Sequence, residues 1–255
     1  MTQRLLLPNW PAPCNVGAAV TLRVGGISEI PYDSNNLAVH VGDCEATVLA
    51  NRQTLVTDLY LPNNPLWLDQ VHGTKIIYAP AAEGVPRADA SYTDTSDSVC
   101  AVLTADCLPV LLCNRSGTQV AAVHAGWRGL CSGIVRNAVQ TFDEDKDQVM
   151  AYLGPAIGPD AFEVGAEVLQ AFVEGAQSPQ HRQAIEQSFV RGLHRGKYMA
   201  DIYALARAEL KACGVLNVYG GEYCTYSQVE QFYSYRRDAK TGRNGSLIWL
   251  KNLNN

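Results

Sequence analysis

A cysteine and a histidine stand where apolar runs meet small-residue turns. "TADCLPVLLC" carries Cys107, "VHAGWRG" carries His124, and the turn signal "RSGT" at 115–118 lies between them. In an antiparallel hairpin, facing residues have position numbers of constant sum. A two-residue turn at Arg115 and Ser116 puts Cys107 opposite His124. A turn at Ser116 and Gly117 shifts the pairing by two residues. Either register brings thiol and imidazole together at the open end of the hairpin, with Pro109 a place for a bulge.

Two chemistries fit such a pair. In a nucleophile couple, the imidazole lowers the thiol pKa. In a metal site, thiolate and neutral imidazole are ligands, and a third is needed. His72 in "WLDQVHGTK" is a candidate, placed after an apolar stretch and directly before Gly73. One Cys and two His suit zinc or copper. Three protein ligands leave the fourth zinc position open, as catalytic sites do. A buried thiol beside a satisfied histidine is the alternative without chemistry. Asp106 precedes Cys107, and strand alternation turns it away from the thiol, so it reads as a hydrogen-bond organiser. Arg128 lies in the turn that opens the following helix, where backbone N–H groups, the helix end and a guanidinium suit an anion. A structural ion pair is its competing role.

These residues must be held by particular elements. "VCAVLTADCLPVLLCN" reads as a buried strand interrupted near Pro109, and "QVAAVHA" as its returning partner. "GLCSGIVRNAVQTF" places Leu130, Ile134, Val135, Ala138 and Val139 at helical spacing. "VMAYLGPAIGP" is a second strand entering a turn, and "AFEVGAEVLQAFVEGA" reads as its helix. The pair of units points to an internal duplication. "ADIYALARAELKACG" reads as a helix with Asp201 as N-cap and Gly214 as its stop. The polar stretch 178–197 reads as a surface helix and loop. "QFYSYRRDAKTGRNGSLIWL" reads as strand, turn at 240–245 and final strand. The expectation is an α+β (mixed α/β) fold of layered mixed sheets with flanking helices. With no linker or low-complexity tract, residues 1–255 form a single catalytic domain.

Bulk composition narrows the partners. Hydrophobic residues are 47% of 255, enough for a sizeable core. The net charge is −5 with no basic block, which argues against nucleic acid or an anionic membrane as the main partner. No stretch is long and apolar enough to span a bilayer. "MTQRLLLPNWPAP" is too short in apolar residues for a signal peptide, so a cytoplasmic location is expected. The eight cysteines are scattered, and most, such as Cys100 and Cys113, read as buried thiols rather than disulfides.

Taken together, "NLAVHVGD", "NRQTL", "DQVHG", "RADASYT", "TADCLPVLLC", "VHAGWRG", "GPAIGPDAFEVG" and "FYSYRRDAKTGR" resemble the YfiH-like laccase-domain family over nearly the whole chain, in order. The resemblance implies a mixed α/β fold distantly like that of a cysteine-hydrolase toxin. It implies a metal held by His72, Cys107 and His124, which are also the catalytic residues. The metal expected is zinc, with copper as the alternative. It implies phosphorolysis of adenosine, inosine, guanosine and methylthioadenosine, together with adenosine deamination, so purine nucleosides and phosphate are the expected partners. Within the matching motifs, Arg52, Arg128 and Arg236 are the cationic candidates for phosphate, and Asn36 and His40 are candidates for ribose or base. Glu163 is a candidate proton shuttle, with a structural role at a helix start as its alternative. The "H-x-E" and "P-C-x-x-C" signature of zinc nucleobase deaminases is absent, so deamination would need a different constellation.

Three other functions compete. Some family members resemble editing enzymes for peptidoglycan precursors, which here would be cysteine- or metal-dependent hydrolysis. A copper polyphenol oxidase matches an older family description, but a multicopper centre needs many more than the five histidines present. A non-catalytic binding module would retain the site without turnover.

Overall fold

The computed structural model describes residues 4–252. Its architecture is α+β, in layers. One helix, Glu45–Asp58, covers a four-stranded antiparallel sheet in the order Leu5–Leu6, Val16–Thr21, Asn244–Leu250, Val99–Thr104. That sheet packs face to face on a six-stranded mixed sheet in the order Asn217–Gly220, Val149–Leu153, Leu108–Asn114, Val120–Ala125, Ala90–Thr93, Ile76–Tyr78. Helices, among them Ile134–Gln140 and Ile202–Ala212, cover the far face of the larger sheet. A small sheet of Phe189–Arg191, Lys197–Ala200 and Glu163–Gly165 stands at the side.

Burial on both faces explains the unbroken apolar run around Cys107. Along Leu108–Asn114, Val110 and Leu112 join the helix-side core, whereas Leu111 and Cys113 join the core between the sheets. On Val99–Thr104, Cys100 and Val102 face that inter-sheet core, and Val99, Ala101 and Leu103 face the covering helix. Cys100 and Cys113 are buried thiols, as expected.

The stretch 99–114 is two strands rather than one, and they lie in different sheets. The break falls at 105–107, not at Pro109. Asp106 has φ +87° there, a left-handed conformation that turns the chain from one sheet to the other. Pro109 stays within its strand and pairs with His124. Its carbonyl accepts from Gly154 N just past the end of the neighbouring strand, and the Gly154 carbonyl that a proline N–H cannot serve accepts from Tyr203 Oη at 3.2 Å instead. The register is the one set by a turn at Ser116 and Gly117, and Cys107 lies just beyond the last paired residue.

Other local differences have identifiable causes. The segment leading to 235 is no strand. Phe232 and Tyr233 are consecutive and both fully buried, and Ser234 then caps the short helix Tyr235–Asp238 by accepting from Arg237 N. The helix after the second strand is preceded by the short strand Glu163–Gly165, so the two strand-to-helix units connect differently. In the polar stretch, the helix Pro179–Gln187 is followed by a hairpin. Its His181 is not a surface residue: it is buried 3.4 Å from Glu209 of the helix Ile202–Ala212. That helix has its expected Asp201 cap, and Gly214 at φ +87° follows its end. Among the described residues, no helix is long and apolar enough to cross a membrane.

Candidate active site

The crossing from one sheet to the other places Cys107 between two histidines. His124 is the penultimate residue of the strand Val120–Ala125, and His72 comes from the loop beyond Gln70. Their ligand atoms all lie within 4.8 Å of one another. Cys107 Sγ is 3.6 Å from His72 Nε2, and the two imidazoles meet edge to face with centroids 4.8 Å apart. Gly126 makes the approach possible: a Cβ there would sit 2.6 Å from His72 Cδ2 and 3.1 Å from Cys107 Sγ. At Gly129, a Cβ would lie 2.9 Å from the Gly73 carbonyl, so this glycine lets the short helix Trp127–Cys131 press on the His72 loop.

One carboxylate organises both histidines. Asp89 is fully buried. Its Oδ1 accepts from His124 Nδ1 at 2.8 Å and from the His72 backbone N at 2.8 Å. Its Oδ2 accepts from Gly73 N at 2.7 Å and Val71 N at 3.3 Å. This sets the His124 tautomer and leaves Nε2 for a ligand. It also holds His72 at φ +59°, a left-handed conformation that is unusual outside glycine. Gln70 fastens the same loop to the neighbouring strand, exchanging hydrogen bonds with the Leu103 backbone at 2.8 Å each.

Electrostatics favour a thiolate. Burial pushes the Cys107 thiol up, but the charge and hydrogen bond of His124, with the hydrogen bond of His72, outweigh it and bring the thiol down to about 6. Burial lowers His124, yet Cys107 and Asp89 together raise it to about 9. Burial raises Asp89, but the His124 hydrogen bond and the loop N–H groups hold it below its ordinary value. A thiolate, an oriented imidazole and a buried carboxylate can hold a thiophilic metal or form a nucleophile relay.

The cluster opens into a cavity of about 380 Å³ that is also lined by His40, Gln70, Thr104, Tyr235 and Arg243. His40 is therefore placed with the three ligand candidates. Arg52 stands behind it, stacked over Trp67 at 4.1 Å. Arg128 and Arg236 line a second cavity of about 260 Å³ that also reaches Cys107. Asn36 is fully buried. Its amide donates to Ala38 O and Asp43 Oδ2 and accepts from the N–H groups of Ala38 and Arg243, so it braces the loops bearing His40 and Arg243. Glu163 bonds His194 Nδ1 at 3.0 Å through its side chain and Arg236 Nη1 at 3.0 Å through its carbonyl. Asp106 is the organiser its position implies, accepting from Thr225 Oγ1 at 2.7 Å and Arg236 N at 2.6 Å.

Comparison with known proteins places these features in a family. Residues 17–251 match the model of the multi-copper polyphenol oxidoreductase laccase family. The chain is 51% identical over 253 residues to a purine nucleoside phosphorylase YfiH of Shigella flexneri, covering 97% of this chain and 99% of the relative. It is 49% identical over 246 residues to a purine nucleoside phosphorylase of Pseudomonas aeruginosa, covering 96% and 98%. The crystal structure of a Neisseria meningitidis protein of the DUF152 family model superposes with TM-score 0.91 at 47% identity, covering 98% of this chain and all of that one. The crystal structure of YlmD from Geobacillus stearothermophilus gives TM-score 0.89 at 29% identity, covering 99% and 98%.

Proposed function

The chain belongs to the multi-copper polyphenol oxidoreductase laccase family, and we propose that it is a zinc-dependent purine nucleoside phosphorylase. Its substrates would be adenosine, inosine, guanosine and methylthioadenosine, with adenosine deamination as a second activity at the same centre. The names of its relatives support the reaction class. The observation that carries the reading is the convergence of His72, Cys107 and His124 on one wall of a cavity large enough for a small ligand.

The donor set fits zinc. It offers one thiolate, two imidazoles, no fourth protein ligand in the cluster, and a buried carboxylate behind one imidazole. Bound there, zinc would supply a Lewis acid, and for deamination a source of hydroxide. The protein's own part is positioning. Asp89 holds both histidines in register, Gly126 leaves room for them, and the cations around the two cavities meet the charge of phosphate. Among the described residues this is the one His/Cys/Asp/Glu cluster able to hold a metal. His181 and His194 pair with Glu209 and Glu163 elsewhere, which favours a single-metal enzyme over a multicopper oxidase.

One observation favours a second reading. Cys107, His124 and Asp89 are ordered as nucleophile, base and orienting carboxylate, as in a cysteine hydrolase. Elemental analysis together with a product screen separates the two. The phosphorylase should contain about one zinc per chain and release free base and ribose 1-phosphate only when phosphate is supplied. A covalent adduct on Cys107 formed in metal-free protein would favour the hydrolase.

A further inference from the structure

The site has two chambers of different character, and Cys107 lines both, with Ala105 and Tyr235. The larger is the more polar of the two: beyond the His–Cys–His cluster it presents His40, Gln70, Thr104 and Arg243 beside Leu103 and Ala105. The smaller is walled by Trp127, Ile157, Phe162 and Ile202.

We propose that the larger chamber is the oxyanion subsite, in which Arg243, backed by Arg52 and His40, binds inorganic phosphate while the smaller chamber receives the purine. The assignment to phosphorolysis rests on the phosphorylase reading; the binding of the anion itself does not.

The guanidinium of Arg243 is half-buried. Its Nη1 donates to the Thr241 and Gly242 carbonyls at 2.9 and 3.0 Å, which fixes the plane of the group. Among the described residues its Nε and Nη2 have no protein acceptor and it forms no ion pair. Arg52 is alike: its Nε donates to Leu37 O at 2.9 Å, and among the described residues no carboxylate pairs with it. Desolvation lowers both arginines, Arg52 to about 10. His40 feels burial and both guanidinium charges, opposed by Asp69 alone. The charges of Cys107 and Asp106 partly compensate Arg243, but among the described residues no carboxylate pairs with its guanidinium, and a half-buried cation left unpaired is costly unless a ligand anion completes it. Two free N–H groups on one guanidinium suit bidentate contact with phosphate.

The other chamber is less suited to an anion. Arg236 Nη1 is tied to the Ala161 and Glu163 carbonyls, and its guanidinium lies over Phe162. Arg128 stacks on Trp127 at 4.4 Å. The carboxylate of Asp106 lines the same space. Arg243 also lies over a ring, that of Tyr235 at 5.8 Å, so what sets the smaller chamber apart is its aromatic and aliphatic walls, which suit a flat, polarisable base.

The chemistry needs this separation. In phosphorolysis by direct displacement, a phosphate oxygen attacks C1′ as the C1′–N9 bond breaks, so nucleophile and leaving base occupy opposite sides of the sugar. The base departs with the bonding electron pair and gains a proton. Hydrogen phosphate gives one up, so the products are free purine and ribose 1-phosphate with no net proton exchanged. The two chambers share Ala105, Cys107 and Tyr235, so nucleophile and base have separate spaces that meet at the cluster.

The test uses zinc-loaded full-length protein and inorganic phosphate as probe. Calorimetric binding of phosphate and the phosphate KM are measured for wild type, Arg243→Ala, Arg243→Lys and Arg128→Ala. Arg243→Ala should weaken phosphate about ten- to a hundredfold with the nucleoside KM little changed. Arg243→Lys should fall between, because it keeps the charge but loses the fork. Arg128→Ala should affect the nucleoside KM more than the phosphate KM. If Arg243→Ala does not fold, Arg243→Lys carries the test, and wild-type phosphate affinity in that variant overturns the assignment. A larger phosphate defect in Arg128→Ala than in Arg243→Ala also overturns it. Arg243-dependent phosphate binding without any nucleoside cleavage keeps the anion site and removes the phosphorylase reading. Phosphorolysis with Arg243-independent phosphate affinity does the reverse.

Discussion

Replacing Asp89 with asparagine should damage the proposed metal centre without touching any of its proposed ligands. The substitution keeps the shape of a fully buried side chain but turns one acceptor oxygen into a donor. On the Oδ1 side the new amide would face His124 Nδ1 and His72 N; on the Oδ2 side, Gly73 N and Val71 N. Either orientation sets donor against donor and breaks two bonds. Hydrogen bonds to a charged acceptor contribute about 1.5–3 kcal/mol each, and part returns through the remaining carbonyl oxygen, so metal-free protein should lose about 2–4 kcal/mol of unfolding free energy. His72 also loses what holds it at φ +59°, and loss of such an outer contact weakens metal binding by about 10- to 100-fold. Urea denaturation of metal-free protein reads the first quantity, and zinc competition against a chromogenic chelator reads the second. Wild-type zinc affinity in a folded Asp89→Asn protein would refute the claim that this carboxylate organises the site.

Three further outcomes follow from the same geometry. Gly126→Ala should expel metal even if the protein folds, because the new methyl would lie 2.6 Å from His72 Cδ2; elemental analysis of the purified variant checks this. In metal-free protein the Cys107 thiolate should persist down to about 6 and His124 should keep its proton up to about 9. The stability from the lowered thiol therefore fades as pH falls through the first value, and that from the raised imidazole fades as pH rises through the second. Ultraviolet thiolate absorbance should report the lower midpoint, and His124→Asn should move it upward. His181 is pulled below its ordinary pKa by burial, so the unfolded chain binds a proton more readily and stability falls as pH drops below about 6.5. His181→Asn should flatten that acid slope in denaturation series, and an unchanged slope would place the acid sensitivity elsewhere.

The candidate site residues were readable where local pattern and chemistry coincide. Cys107 and His124 lie at the ends of neighbouring apolar strands, and a constant-sum pairing is enough to bring them together. His72 could be added because its chain context repeats theirs. The hidden parts depend on longer-range structure. Asp89 sits in the quoted "RADASYT", but its function is to join a strand end to a loop seventeen residues earlier, and no spacing rule announces that. Arg243 lies in a turn near the C-terminus and reaches the site only because the final strand pairs with Val99–Thr104. Asn36, polar and set in a site motif, reads as a substrate contact but is buried as a brace. The sheet change at 105–107 was masked because both strands are buried on two faces and so read as one continuous run. His181 looked exposed because its segment is polar on average, although one face of the helix turns inward.

Cleavage of inosine by the purified protein, followed before and after metal removal, tests the central claim most directly. The account predicts hypoxanthine and ribose 1-phosphate in equal amounts, strictly dependent on added phosphate, lost on chelation and restored by zinc. Inosine cleavage that continues undiminished in fully metal-free protein would contradict it, and so would a zinc-loaded, folded protein that leaves every purine nucleoside intact in the presence of phosphate.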